Sequence, residues 1–244
     1  MKIAVLADIH NNVVALNAVL DALQNEKCDK ILCAGDIIGI GPYPEETVKK
    51  VMSIPNFVAV KGNHEKYLTD GMPTECPNDE GMDFEEMCYH HWEHKFLSPE
   101  SILFLKNLPF QVEFSVYNKK ISLMHYCMDK DNRYINYTSK PTGEDLEKMF
   151  SDKQQDIIVY GHDHDRTICT AGGKWYINSG SLGCPGKGKN LARSAILEIA
   201  EKGDIAVRTI DVEYDVDKVV ADINRMEYPA YKMIKKFFYG IDET

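Results

Sequence analysis

The chain has 244 residues, of which 44% are hydrophobic and 27% charged, and this composition is typical of a globular protein and excludes a disordered or fibrous one. Its length suits one large domain, or one domain that carries a sizeable insertion. The formal net charge of -10 argues against a protein that grips long nucleic acid by neutralising phosphates, although bound metal ions would still allow a small phosphorylated substrate.

The N-terminal segment and the cysteines narrow the class of protein further. MKIAVLAD is a predicted buried strand without a basic, cleavable leader, and no apolar stretch approaches the length that spans a bilayer. The seven cysteines include no Cys-x-x-Cys pair, so we expect neither a disulfide framework nor a zinc ribbon. We therefore expect a cytoplasmic protein without a membrane partner, and an oligomeric state that the sequence leaves open.

The first 60 residues alternate between predicted strands and helices. A strand leads to Asp8 and is followed by a helix with an apolar face, a second strand leads to Asp36, a helix covers about 45–53, and a third strand ends before Asn63. This order predicts parallel neighbouring strands joined by right-handed crossovers.

Residues 65–110 differ from the segments on either side. A turn-rich stretch precedes MDFEEMCYHHWEHKFL, which is predicted to be helical, and Ser98 followed by Pro99 is typical of a helix start. We interpret 65–110 as a helical insertion that lies over one end of the sheet. Its role as a lid is a hypothesis.

The rest of the chain is rich in predicted strands. Three pairs of strands are expected, at 111–117 with 120–126, at 167–173 with 174–180, and at 193–200 with 204–214. A short helix begins after Thr142, a helix covers about 216–226, and a mixed tail occupies 228–244. These elements suit an α/β fold with two face-to-face sheets and outer helices, in a single domain over 1–244.

Five predicted strands end in groups that bind hard and borderline metal ions. These groups are found at Asp8-Ile9-His10, Asp36, Asn63, His125 and His162-Asp163-His164. Each alone is more typical of a turn or a helix cap. Together they predict a metal centre, because ligands gather at the carboxyl ends of strands in α/β proteins.

The types of donor group indicate which metal ions the site would bind and how many. Oxygen and imidazole groups without thiolate suit Mn, Fe, Zn, Co or Ni, whereas all-oxygen sites suit Mg or Ca. The two aspartates, one asparagine and four histidines are too many groups for one ion, and a bridging Asp36 would divide them between two sites. Paired metals favour phosphoester hydrolysis.

The ordered motifs D-x-H, G-D, G-N-H-E, His125 and G-H-x-H resemble the calcineurin-like metallophosphoesterase superfamily, and more closely its small bacterial and archaeal phosphodiesterase branch. The segments GDIIGIGPYP, LSPESILFLKNLP and NSGSLGCPGKG resemble the same branch, and the similarity extends to about residue 199. It implies a β-sandwich of two mixed sheets flanked by helices, with the helical insertion over the active site.

The resemblance also implies the roles of the ligands. One metal would be bound by Asp8, His10, Asp36 and His164, and the other by Asp36, Asn63, His125 and His162. Mn²⁺ is favoured, with Fe, Zn, Ni or Co as alternatives. A hydroxide that bridges the metals would attack phosphorus, and His64 would protonate the leaving oxygen or stabilise the transition state.

Three residues depart from the family pattern without removing a ligand. Asn11 stands where relatives often have Gly, and Asn tolerates the left-handed backbone. Asp163 occupies the middle of G-H-x-H, and we expect its side chain to point away from the metals. Ser179 replaces a common proline.

Several further residues have two interpretations. Arg193 either contacts a substrate phosphate or simply ends a strand. Tyr43 and Tyr126 either stack on a nucleobase or pack in the core. His90 and His94 share a helical face, but without an H-E-x-x-H frame we predict a partly exposed helix and no third metal site.

We expect a phosphodiesterase that acts on a small nucleotide-like or dinucleotide-polyphosphate substrate. A phosphomonoesterase or protein phosphatase of the same superfamily is the alternative. A non-catalytic scaffold is a third hypothesis, and it is disfavoured because the chain keeps every ligand and His64.

Overall fold

The computed structural model describes residues 1–77, 82–130, 133–135, 137–184 and 190–241, so part of NSGSLGCPGKG lies outside the described residues. Within these ranges, the strands form two five-stranded mixed sheets. The first sheet contains β1 Lys2–Leu6, β2 Lys30–Cys33, β3 Phe57–Ala59, β9 Leu191–Ile199 and β10 Ile205–Glu213. The second contains β4 Gln111–Val116, β5 Lys119–Met124, β6 Ile157–Val159, β7 Thr167–Ala171 and β8 Lys174–Asn178.

The strand order brings the ends of the parallel strands together. The first sheet has the order β10-β9-β1-β2-β3, with β1, β2 and β3 parallel and β9 antiparallel to both β1 and β10. The second has the order β4-β5-β6-β8-β7, with β5, β6 and β8 parallel and both outer strands antiparallel. The predicted α/β sandwich of two mixed sheets is confirmed.

The predicted helices begin and end close to the expected positions, and two further helices, Asn63–Asp70 and Tyr231–Phe238, were not predicted. They are α1 Val13–Leu23, α2 Pro44–Met52, α3 Asn63–Asp70, α4 Phe84–Glu93, α5 Pro99–Asn107, α6 Gly143–Met149, α7 Val216–Met226 and α8 Tyr231–Phe238, with short 3-10 turns at Gln24–Glu26 and His94–Phe96. The predicted caps are confirmed, because the hydroxyls of Ser98 and Thr142 accept hydrogen bonds from the backbone N–H groups of Ser101 and Asp145. Among the described helices, none combines the length and apolar character needed to cross a bilayer.

Strand β1 is apolar from Ile3 to Leu6 because both of its faces are covered. Ile3 and Val5 pack between the two sheets, whereas Ala4 and Leu6 pack against the helices on the other face. Side chains of a strand alternate between its two faces, so a strand that is covered on both sides needs apolar residues at every position.

The insertion and the C-terminal tail pack against each other. Tyr228 of the tail stacks on Trp92 with ring centroids 4.6 Å apart, and it lies 5.4 Å from the ring of Tyr89. The tail predicted as mixed contains helix α8, whose Ile234 is buried in the same core as α1. The single-domain boundaries and the lid role of 65–110 stay predictions.

Candidate metal centre

The ligand loops after β1 and β2 are joined by backbone hydrogen bonds. The N–H groups of Asp8 and His10 donate to the carbonyls of Gly35 and Asp36, at 3.1 and 3.0 Å. Asp8, His10 and Asp36 all have positive φ, as does Asn11 at 51°. Such backbone is sparsely populated outside glycine and persists where the surroundings fix it, often at functional sites. The left-handed turn expected at Asn11 is therefore present.

The predicted ligands form two groups that meet at Asp36. In the first group, Nε2 of His10 lies 2.9 Å from Nε2 of His164 and 3.9 Å from Oδ2 of Asp36. In the second, Nε2 of His125 lies 3.2 Å from the same Asp36 oxygen and 3.2 Å from Nδ1 of His162.

Asn63 and Asp8 complete the two groups. Oδ1 of Asn63 lies 3.0 Å from Nε2 of His125 and 3.1 Å from Nδ1 of His162. Asp8 accepts a hydrogen bond from the N–H of His162 through Oδ1, at 3.0 Å. Its other oxygen, Oδ2, is buried and has no hydrogen-bond partner among the described residues.

The orientation of two imidazoles fits a bound cation. Nδ1 of His125 lies 2.7 Å from the carbonyl of Ala34, and Nδ1 of His10 lies 3.2 Å from the carbonyl of Ile38. A carbonyl only accepts, so each Nδ1 carries a proton and each Nε2 points into the group, where it can ligate a metal once it is unprotonated. Burial lowers the pKa of His125, but Asp36 outweighs it and raises that pKa to about 9, so a metal would displace a proton from this Nε2. Converging lone pairs and an unpaired carboxylate oxygen are the donor set that a divalent transition metal requires.

Burial and charge set the protonation of these groups. Burial raises the pKa of Asp8 to about 7. Burial opposes ionisation of Asp36 too, but His125 and His64 hold the pKa of that carboxyl well below its usual range. Burial lowers the pKa of His162 to about 3 and that of His164 to about 4. Both rings are therefore neutral at pH 7, as a metal ligand must be.

Glu65 holds two of the ligand loops together, a role the sequence analysis did not assign. This fully buried carboxylate accepts hydrogen bonds from the N–H groups of Asp36 and Ile38, both at 3.0 Å, and from that of Gly62 at 2.8 Å. Burial and the nearby Asp36 raise its pKa to about 7. The signal in the sequence was the Glu three residues after the Gly that precedes α3, a capping-box position.

His64 lies beside the ligand groups. Its Nε2 is 3.9 Å from Oδ2 of Asp36, and its ring centroid is 5.0 Å from that of His10. Its Nδ1 is buried and finds no hydrogen-bond partner within the described part of the chain. A Cβ at Gly39 would lie 2.3 Å from this nitrogen, so only glycine leaves room for the ring.

Helix α4 reaches the site through His90 and Glu93. The prediction of a partly exposed helix was wrong for His90, which is fully buried. Nδ1 of His90 lies 2.7 Å from Oε1 of Glu93, and its ring centroid is 4.9 Å from that of His64. Glu93 also accepts hydrogen bonds from Nδ2 of Asn11, at 2.6 Å, and from the N–H of Gly39, at 2.9 Å.

These contacts put His64, His90 and Glu93 close enough together to hold an ion. The short contact with Glu93 pairs only Nδ1 of His90, whereas its buried Nε2 lies 3.7 Å from Oε1 of Glu86 and has no hydrogen-bond partner among the described residues. Burial lowers the pKa of His90, but the carboxylates of Glu86 and Glu93 outweigh burial and raise that pKa to about 9. The sequence carried only a weak signal, the i, i+3 spacing of the two residues.

The three predicted substrate contacts have protein partners. Nη1 of Arg193 donates to the carbonyl of His164 at 3.1 Å. The hydroxyl of Tyr43 donates to Asp222 of α7 at 2.6 Å. The hydroxyl of Tyr126 accepts from the N–H of Thr138 at 2.9 Å, and its ring lies 4.8 Å from that of His162.

Two further side chains complete the surroundings. Asp163 accepts hydrogen bonds from the hydroxyl of Tyr137 and the N–H of Lys140, at 2.9 and 3.1 Å, so it points away from the ligand groups as expected. Cys184, which the sequence analysis passed over, lies near His10 and His164. Burial raises the pKa of its thiol well above the usual range, so it stays protonated and is a poor ligand.

The chain is similar to known proteins in both sequence and fold. The chain is 30% identical over 260 residues to the uncharacterized protein MJ0912 of Methanocaldococcus jannaschii, covering 98% of each chain. The structure of PH1004 from Pyrococcus horikoshii matches with a TM-score of 0.80 and 19% identity, over 99% of both chains. A metallophosphoesterase from Sphaerobacter thermophilus matches with a TM-score of 0.72 and 22% identity, over 98% of both chains.

A match to a family model assigns the sequence to a superfamily. Residues 1–202 match the calcineurin-like phosphoesterase superfamily domain, a range that includes both groups of predicted ligands. The structural matches are below 25% identity and show the shared fold, whereas the family model covers most of the chain. The chain belongs to the calcineurin-like phosphoesterase superfamily and is a phosphoester hydrolase of that family.

Proposed function

We propose that this chain is a dinuclear metal-dependent phosphodiesterase that hydrolyses a small nucleotide-like or dinucleotide-polyphosphate substrate. The observation that carries the proposal is the position of Asp36, whose Oδ2 lies 3.9 Å from Nε2 of His10 and 3.2 Å from Nε2 of His125. A carboxylate oxygen between two imidazole groups supports a ligand shared by two ions. Paired ions favour in-line displacement at phosphorus.

The proposed ligand sets follow the two groups. The first ion would be held by Asp8, His10, Asp36 and His164, and the second by Asp36, Asn63, His125 and His162. Mn²⁺ is favoured for this oxygen and imidazole set, with Fe, Zn, Ni and Co as alternatives. When bound, the two ions would neutralise phosphate charge and lower the pKa of water.

His64 is the proposed proton donor. Its Nε2 lies on the side of Asp36, where the phosphate would bind, and its Nδ1 faces the protein interior at Gly39. Burial lowers the pKa of His64 and the nearby Asp36 opposes this shift. When the ring is protonated on both nitrogens, its Nε2 proton would pass to the oxygen of the departing alcohol and leave a neutral imidazole. A positioned general acid of this kind contributes about 10²- to 10⁴-fold to the rate.

The test is hydrolysis of bis-p-nitrophenyl phosphate by the purified protein with Mn²⁺. We expect turnover that a chelator abolishes, that Asp36→Ala abolishes, and that His64→Ala lowers by about 10²-fold or more. The matched control is His91→Ala, because His91 is an exposed histidine of α4. Turnover that survives both Asp36→Ala and His64→Ala would refute the proposed roles.

A substrate panel separates this activity from its alternatives. Dinucleotide polyphosphates, nucleotide diesters, phosphomonoesters and phosphopeptides would be compared at equal concentration. We expect diesters to be preferred over monoesters in kcat/KM. Preference for monoesters or phosphopeptides would assign a phosphatase activity instead. Inactivity on every phosphoester, with metal bound, would support a scaffold.

A further inference from the structure

A small apolar cavity lies beside His64, between the insertion and helix α8. Its volume is about 130 Å³. The lining side chains are mostly apolar and come from four separate segments: Ile40, His64, Glu86 with Tyr89, and Ala230 with Met233, Ile234 and Phe238. An apolar cavity of about 150 Å³ is large enough to bind benzene. This cavity therefore has room for a group the size of one ring.

Two walls of the cavity also contact the metal centre. The ring of His64 lies 5.0 Å from that of His10, and the ring of Phe238 lies 5.7 Å from that of His164. Both His10 and His164 belong to the first ligand group. The cavity therefore borders the proposed proton donor and the first ligand group together.

Ile40 is held in an unfavourable conformation at this cavity. Its φ is 66°, which is rare for a β-branched residue. Hydrogen bonds on both sides fix it, since the N–H of Gly39 donates to Glu93 and the hydroxyl of Tyr228 donates to the carbonyl of Ile40 at 2.9 Å. Strain that is maintained in this way is typical of binding and catalytic sites. Here it keeps an aliphatic side chain in the cavity wall.

We propose that this cavity binds the leaving group of the substrate, and that the leaving alcohol carries an uncharged aromatic or branched aliphatic group. This inference rests on the proposed function and narrows its substrates to nucleotide-like diesters, because the leaving group of a dinucleotide polyphosphate carries phosphate. In the reaction, the oxygen of water bonds to phosphorus and the bond from phosphorus to the alcohol oxygen breaks. The proton on Nε2 of His64 passes to that oxygen, and the proton released by the water restores His64.

The position of His64 indicates that the cavity lies on the side of the phosphate from which the alcohol departs. A proton donor must lie within hydrogen-bond reach of the oxygen that departs, so the group attached to that oxygen lies next to His64. Glu86 is the only carboxylate among the described lining residues, and the nearby His90 outweighs burial and lowers its pKa. An ionised Glu86 would repel a leaving group that carries a second phosphate.

The first experiment measures binding without catalysis. p-Cresol is added to the metal-free protein, and NMR follows the methyl resonances of Ile40, Met233 and Ile234. We expect saturable shifts confined to these methyl groups. In Met233→Trp, which fills the cavity, we expect the affinity to fall at least tenfold. The matched control is Phe237→Ala, because Phe237 lies on the same helix, is 65% exposed and does not line the cavity.

The second experiment measures activity with Mn²⁺ on methyl p-nitrophenyl phosphate. We expect Met233→Trp and Phe238→Ala each to raise KM about tenfold, and Phe237→Ala to stay within twofold of the wild type. Circular dichroism checks that each variant is folded, and the two cavity variants change volume in opposite directions.

The outcomes separate the two proposals. A wild-type protein that hydrolyses no diester rejects the proposed function, whatever p-cresol does. The leaving-group assignment alone is rejected if the protein hydrolyses diesters but p-cresol causes no shifts at the cavity. It is also rejected if the protein hydrolyses diesters and the KM of both cavity variants is unchanged.

Discussion

Oε2 of Glu93, on helix α4, accepts a 2.6 Å hydrogen bond from Nδ2 of Asn11, which follows the D-x-H motif. Both side chains are fully buried. The same carboxylate pairs with His90 through its other oxygen, at 2.7 Å. The insertion is therefore attached to the first ligand loop by a charged group that cannot be removed without leaving buried partners unpaired.

We expect Glu93→Gln to destabilise the protein by about 3–5 kcal/mol, because it leaves the protonated His90 without its buried partner. Denaturant unfolding of the metal-free protein measures this change. Glu85→Gln is the control, since Glu85 is exposed on the same helix and its loss should change the free energy of unfolding by less than about 0.5 kcal/mol. Equal effects of the two variants would contradict the assigned role of Glu93.

The His90–Glu93 pair predicts a loss of stability in alkali. The pKa of His90 is raised to about 9 in the folded protein from about 6.5 in the unfolded chain. The stabilisation is therefore fully present below about pH 6.5 and is lost as the pH rises through about 9. We expect the difference in free energy of unfolding between wild type and His90→Gln to shrink from pH 6 to pH 10. Metal-free protein is used throughout, and His91→Gln, at an exposed position, should show no such trend.

Metal binding should raise the melting temperature, because the ligands converge only in the folded chain. At Mn²⁺ concentrations about 100 times Kd, the gain is about 2.7 kcal/mol, or about 5–10 °C for a domain of this size. Differential scanning calorimetry with and without Mn²⁺ measures the shift. We expect Asp36→Asn to remove most of it, since Asp36 belongs to both groups, and Asp70→Asn, at an exposed position, to keep it. A full shift in Asp36→Asn would argue against a shared ligand.

Gly39→Ala should impair catalysis more than it impairs metal binding. Gly39 has φ 95°, and an added Cβ would lie 2.3 Å from Nδ1 of His64, so the ring must move. We expect kcat to fall by about 10²-fold, the lower range for losing a general acid. Isothermal titration with Mn²⁺ should give an affinity within a few-fold of the wild type. Gly173→Ala is the control, since Gly173 also has positive φ but nothing lies within 4 Å of its added Cβ. An unchanged kcat in Gly39→Ala would show that the position of His64 is not critical.

Much of the fold was accessible from local sequence patterns. Helix α7 has its predicted bounds of 216–226, and α2 differs from its prediction by one residue at each end. Ser98 and Thr142 cap helices as expected. These features depend on residues close together in the chain, where periodicity and capping chemistry act directly.

The convergence of the seven predicted ligands also followed from sequence, because parallel strands bring their carboxyl ends to one edge of a sheet. The surroundings of these ligands did not. Glu65, Glu93 and His90 are charged or titratable residues that normally lie on surfaces, and each is fully buried here. Their burial results from segments that meet only in the folded protein.

The sequence by itself determined the strand–helix order, the donor atoms and hence the chemistry at phosphorus. Only the tertiary structure decided how α4 and α8 pack beside His64 and which residues line the cavity there. Local patterns report which face of a helix is apolar, but not which distant surface will cover it. That choice depends on how Ile40 packs with Tyr228 and Phe238 of the C-terminal tail, which lie far from Ile40 in the chain and next to the same site in the fold.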